Sequence, residues 1–160
     1  MVGAGAPVSK PKSAEVVDIP AGLADRNITA GNIKVTFADG RAEKVTSSGN
    51  CMQPQVSAGG YLGWVHCTGF DRKGYALNET LMIRFPDDAT KAFAPDSNAP
   101  FIGAWAFTDG DSGVVIKSMS FHGPSSYCRY DFATGKMTNK KDGRNDDEPV
   151  PWWARALADR

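Results

Sequence analysis

Ile33, Val35 and Phe37 alternate with polar neighbours, and that two-residue period turns one face of a strand toward a core. Ala38-Asp39-Gly40 supplies a turn, and Ala42 to Thr46 returns as the antiparallel partner. The same unit recurs at Leu81 to Phe85, turning at Pro86-Asp87-Asp88 into Thr90 to Phe93. It recurs again at Tyr127 to Phe132, turning at Ala133-Thr134-Gly135 into Lys136 to Thr138. Between these hairpins, Gln53 to Val56 and Tyr61 to Val65 read as two strands about a Gly59-Gly60 turn. Phe101 to Phe107 and Val114 to Ile116 read the same way about Asp109-Gly110. No long helical period interrupts Asn32 to Thr138, so the pattern predicts an all-β chain.

The hairpins repeat at a spacing of roughly 45 to 50 residues, the range of four-stranded propeller blades. The expected architecture is a propeller-like stack of antiparallel four-stranded units, about two of them complete, preceded by a leading hairpin. Residues 1–25 are expected as a leader, poorly ordered or extended, since Met1 to Lys12 is small, polar and punctuated by proline. That composition fits a cytosolic leader, or a mature exported domain whose signal was replaced by a start codon, and the second reading is preferred. Residues 26–148 are expected to form the β domain, with Asn139 to Glu148 as a solvated charged loop. Residues 149–160 are expected as a short C-terminal helix or tail, with Pro151 as its first residue. Trp153 and Leu157 would then share a face toward the sheet, or the tryptophans would serve as a partner-binding anchor.

Composition narrows the function classes. The 160 residues carry 18 basic and 18 acidic side chains, so the positive excess of a nucleic-acid binder is missing. The longest apolar stretches are strand-sized, which gives no membrane-spanning helix. Two histidines and three cysteines leave little material for a transition-metal site, and no cofactor motif is present. Ser57-Ala58-Gly59-Gly60 lacks the lysine and the following helix that would cradle a phosphate.

The catalytic inventory is thin. His66 alternates with buried neighbours and reads as a strand histidine. His122 lies in a loop with Ser120, Ser125 and Ser126, and a small hydrolase would need it to converge with Asp109 or Asp111. Nothing in the spacing enforces that convergence, and no nucleophile-elbow motif occurs. Asp109-Gly110-Asp111 is explained as a hairpin turn, with an occasional calcium ion as the sharper alternative.

Cys51 and Cys67 flank the strand pair that turns near Gly59, close to opposite one another and within disulfide reach. Closing that loop would contribute about 3 kcal/mol in the chain-entropy picture. The alternatives are a Cys67–Cys128 bond or free buried thiols. A disulfide would favour the periplasm or an extracellular site.

The remaining signal is surface. Phe70, Arg72 and Tyr75 lie in the long loop Thr68 to Asn78, and Ser120, His122, Gly123, Ser125 and Ser126 lie in or beside a second loop. Both loops connect the second and third strands of their units, so they should emerge on one side of the molecule. Long loops on a rigid scaffold are where binding function concentrates. The residues therefore predict a non-enzymatic module that binds another protein through these eight positions.

Glu43-Lys44-Val45-Thr46 followed by Gln53 to Gly60 resembles the blade junction of TolB-type propeller repeats. Gly59 stands where that repeat carries Asp, while Thr108-Asp109-Gly110 keeps Asp-Gly and loses the proline. Three blades cannot close the usual ring, so the resemblance implies an open stack or assembly between chains, such as a homodimer. Ala106 to Val115, Phe121 to Ser126 and Arg129 to Thr134 resemble a second group, the small periplasmic immunity proteins of type VI secretion systems. That resemblance implies a periplasmic or secreted inhibitor that blocks the active-site cleft of a cell-wall amidase toxin.

Overall fold

A computed structural model of the chain describes residues 9–144 and 148–158. The thirteen strands of the described residues fall into four antiparallel sheets. The first sheet holds β1 (Pro11–Val17), β2 (Asn32–Phe37) and β3 (Ala42–Lys44), in that order. Two four-stranded sheets follow. The middle one is built from β4 (Cys51–Val56), β5 (Leu62–His66), β8 (Thr80–Arg84) and β9 (Thr90–Phe93). Between β5 and β8 the chain detours through a small hairpin, β6 (Gly69–Phe70) and β7 (Ala76–Leu77). The last sheet holds β10 (Phe101–Phe107), β11 (Gly113–Met119), β12 (Ser125–Asp131) and β13 (Met137–Arg144). This is an all-β arrangement of two complete four-stranded units, in which the expected leading hairpin, β2 and β3, is widened by β1 into a three-stranded sheet. Among the described residues no sheet closes into a barrel.

The sheets stack because β5 and β11, inside the two four-stranded sheets, bury side chains on both faces. Leu62 and Trp64 of β5 pack with Ile33, Val35 and Phe37 of the first sheet, while Val65 points the other way. Val65, Leu81 and Ile83 meet Trp105, Ile116 and Cys128 of the last sheet. The far face of that sheet, through Ala106, Val115 and Tyr127, receives Ala154 and Leu157 of the C-terminal segment. The alternation rule of strands therefore generates four layers, three sheets and a helical turn.

Trp105 is the clasp between the two large sheets. It is fully buried, its indole N–H donates to the Gln53 carbonyl at 3.0 Å, and the Gln55 amide donates back to its carbonyl at 2.7 Å. Gly63 lies beneath it, and a Cβ there would sit 2.5 Å from the Trp105 ring and 2.6 Å from Ile83. A glycine inside a strand here marks close approach of a side chain from the facing sheet.

Several expectations are corrected. The leader is extended rather than poorly ordered over Pro11–Val17, where it contributes a paired strand, β1, which joins β2 in register from Ser13 opposite Thr36 to Val17 opposite Asn32; Met1 to Val8 lie outside the described residues. Asn139 to Arg144 belongs to β13 rather than to a loop, because Tyr127, Cys128 and Arg129 of β12 pair with Lys141, Lys140 and Asn139. The expected charged loop beyond it includes Asp146 and Asp147, outside the described residues. At the C-terminus Pro151 has ψ 145 and caps the helix from outside, and Trp152–Leu157 is a 3-10 helix. Trp153 and Leu157 do pack on the sheet, and Trp152 stands out to solvent.

The Cys51–Cys67 disulfide is absent: Cys51, Cys67 and Cys128 are free and buried. Register supplies the reason. Cys51 pairs with His66, so Cys67, one position on, falls to the opposite side of the sheet. Cys51 packs in the core with the first sheet. Burial pushes all three thiols up, that of Cys128 to about 11. Among the described residues no helix is long and apolar enough to cross a membrane.

Candidate functional site

At one end of the stack β5 and β11 finish and β8, β10 and β12 begin, and here the two loops singled out by the sequence meet. The first is built by local chemistry. Asp71 turns the chain between β6 and β7, its carboxylate accepting from the N–H groups of Lys73 and Tyr75, both at 2.9 Å. Gly74 takes φ +90, which a residue with a side chain adopts only under strain. Arg26 reaches across from the segment after β1 and donates to the Asp71 carbonyl at 2.6 Å. The long loop is thus a pinned hairpin that holds Phe70 and Tyr75 in place.

The second loop leaves β11 at Met119 and re-enters the sheet at Ser125. It is tight at its base, since a Cβ on Gly123 would lie 2.6 Å from the Ser120 hydroxyl. Phe121 projects from it against Tyr75, edge to face, with ring centroids 4.8 Å apart. Phe101, at the start of β10, completes the group at 4.8 Å from Phe121 and 5.9 Å from Tyr75. Tyr75 is 44% exposed, Phe121 58% and Met119 beside them 41%. Single exposed apolar side chains are ordinary on a protein surface, whereas these are grouped.

The Tyr75–Phe121 pair forms a wall shared by two open cavities. One, of about 420 Å³, is lined by Phe70, Tyr75, Phe101, Met119, Ser120 and Phe121, with the Glu79 carboxylate as its charged group. The other, of about 590 Å³, carries Arg72, Lys73 and His122, with the already engaged Asp71. Glu79 accepts a hydrogen bond from the Ile102 N–H. Burial pushes its carboxyl up, and that bond draws it part of the way back.

Phe70, Arg72, Tyr75, Ser120 and His122 are therefore brought together, with Gly123 supporting the second loop. Ser125 and Ser126 are not. They open β12 and are 7% and 6% exposed. Ser126 hydrogen-bonds the buried Asp96. Burial pushes Asp96 up, but the Asn98 N–H, the Ser126 hydroxyl and the Lys140 ammonium outweigh it and hold the carboxyl below its usual range. Ser126, with Ser118, whose hydroxyl accepts from the Asp96 N–H at 3.1 Å, belongs to a network that fixes the β9–β10 connection onto the last sheet.

Sequence reasoning missed Phe101, Met119 and Glu79 as site residues. For Glu79 a signal existed, because the two-residue period places it on the same face as Leu81 and Ile83, where a charge is out of character.

The hydrolase alternative loses its geometry. Asp109 and Asp111 sit on the turn between β10 and β11, at the opposite end of a seven-residue strand from the His122 loop. Such a strand spans about 20 Å. Both acids are engaged there: Asp109 pairs with Arg155 at 2.8 Å, and Asp111 accepts from the Gly59 N–H at 2.7 Å. Among the described residues no three His, Cys, Asp or Glu side chains gather as a metal site would require. Comparison with known proteins finds no family model, no curated protein and no solved structure that matches this chain.

Proposed function

We propose that this chain is a non-enzymatic protein-binding module that presents the Tyr75–Phe121 surface to a partner. The exposed aromatic cluster carries this reading, because two loops from different sheets hold apolar rings in solvent at a cost to the isolated chain. Aromatic residues on rigid supports are the usual anchors of protein interfaces, and Arg72, Lys73 and His122 supply a polar rim. In its most specific form the partner is an exported cell-wall hydrolase and the module is its periplasmic inhibitor, with Phe121 and His122 at the mouth of the cleft. Ser125 and Ser126 take no part by side chain in this version.

The test is capture of partners from the source cells on immobilised wild-type and Phe121→Ala protein, with circular dichroism confirming both folds. A stoichiometric partner retained by the wild type and lost by the variant supports the reading. Equal retention by both overturns it. For the specific form, the captured protein must cleave peptidoglycan and lose that activity on addition of one equivalent of the module.

A further inference from the structure

The carboxylate of Glu79 stands half-buried at the wall of an aromatic cavity with no cation to balance it. Among the described residues no lysine, arginine or histidine nitrogen lies within ion-pair distance of it. Its hydrogen bond to the Ile102 N–H engages one oxygen, and the residue forms part of the cavity lining. Phe70, Tyr75, Phe101 and Phe121 line the same space. Aromatic faces attract cations, and a partly desolvated carboxylate strengthens that attraction.

We infer that the cavity walled by Phe70, Tyr75, Phe101 and Phe121 takes a basic side chain, a lysine or arginine of the partner protein, with its charged head against Glu79. This deepens, and rests on, the protein-binding reading above. Three observations converge on it. The charge of the cavity is of one sign, its rings cluster around the opening, and its volume of about 420 Å³ accommodates a whole lysine or arginine side chain. The neighbouring cavity has the opposite character: Arg72 and Lys73 line it and make no ion pair among the described residues. Asp71 there is occupied by backbone N–H groups. A partner that offers a basic side chain to the first cavity and an acidic one to the second is held in a single orientation by the Tyr75–Phe121 wall.

The probe is n-butylammonium, titrated into the full chain by NMR with neutral 1-butanol as its control. The proposal expects saturable shifts of the Tyr75 and Phe121 ring signals with butylammonium, at least tenfold weaker binding of butanol, and at least a tenfold loss in Glu79→Gln. Glutamine keeps an acceptor for the Ile102 N–H, so this variant retains the local geometry. Phe101→Leu, which keeps an apolar side chain and removes the ring, is expected to weaken butylammonium about fivefold. Equal binding of the two probes, or butylammonium binding unchanged in Glu79→Gln, overturns the proposal. The captured partner separates the two readings. If its binding requires Tyr75 and Phe121 but is indifferent to Glu79→Gln, the cation site falls and the protein-binding reading stands. If it ignores all three positions while butylammonium still requires Glu79, the protein-binding reading falls, and the assignment to a partner's side chain falls with it.

Discussion

Tyr75 and Phe121 meet edge to face with ring centroids 4.8 Å apart, and through that contact a hairpin inserted in the middle sheet grips a loop of the last sheet. Each loop joins the second and third strands of its own sheet. Stacking the sheets in register brings the two insertions together at one end, so the aromatic surface is a consequence of the repeat.

Phe121 is expected to matter for binding and little for folding. At 58% exposure its ring has limited contact to lose. Phe121→Ala should change unfolding free energy by about 1 kcal/mol or less, while an interface anchor of this type costs about 2 kcal/mol or more in affinity. Denaturant unfolding and calorimetry on the same variant check both halves. A large stability loss with unchanged affinity contradicts the assignment.

Ser126→Ala is expected to behave in the opposite way. It removes a hydroxyl from the buried Asp96 network, where an unmet partner costs about 1–3 kcal/mol. The predicted variant is less stable and binds its partner normally once folded. A weakened partner at full stability would restore this serine to the interface.

Gly63→Ala tests the stacking of the two large sheets. The added methyl would press on Trp105 and Ile83, and overpacking of this kind costs about 1–3 kcal/mol. Thermal unfolding should shift down accordingly. An unchanged melting temperature would mean that the sheets can part at no cost.

The three thiols should react with a disulfide-exchange reagent slowly in the native protein and completely after denaturation, since all are free and buried. Adding a reductant should leave the melting temperature where it was. A drop on reduction would show a disulfide.

Glu79 imposes a pH dependence whose sign is fixed. Its carboxyl is raised above its usual value of 4.5 by burial, so in the window above that value the folded chain holds more protons than the unfolded one. Stability from this group therefore falls as pH rises through the window. The Cys67 thiol, which faces it, is raised from 9.0 and stays neutral there. Glu79→Gln should match the wild type below the window and gain relative stability above it. A stability difference independent of pH contradicts this.

The architecture was legible because it rests on local signals. Alternation at Ile33, Val35 and Phe37 and turn residues such as Asp39-Gly40 fix strands and hairpins without reference to the rest of the chain. What escaped was set by tertiary register. Cys51 pairs with His66 rather than Cys67, a one-residue difference that reverses the face and removes the disulfide. Ser125 and Ser126 read as loop because Pro124 and Gly123 precede them, yet pairing of Ser125 with β13 and of Ser126 with Ser118 of β11 draws them into β12. Phe101 read as a strand residue and proved to be half of an aromatic contact, which depends on a loop that folds over it from Met119 onward.

The most direct measurement is the affinity of the captured partner for Tyr75→Ala, Phe121→Ala and, as control, Trp152→Ala. Trp152 is the most exposed large apolar side chain described, and it lines a cleft with Thr108 and Asp109 at the opposite end of the last sheet. The account predicts a loss of about thirtyfold or more for each of the first two, the equivalent of about 2 kcal/mol, and no change for the third. A partner that loses its grip on Trp152→Ala and holds the other two at wild-type affinity would contradict it.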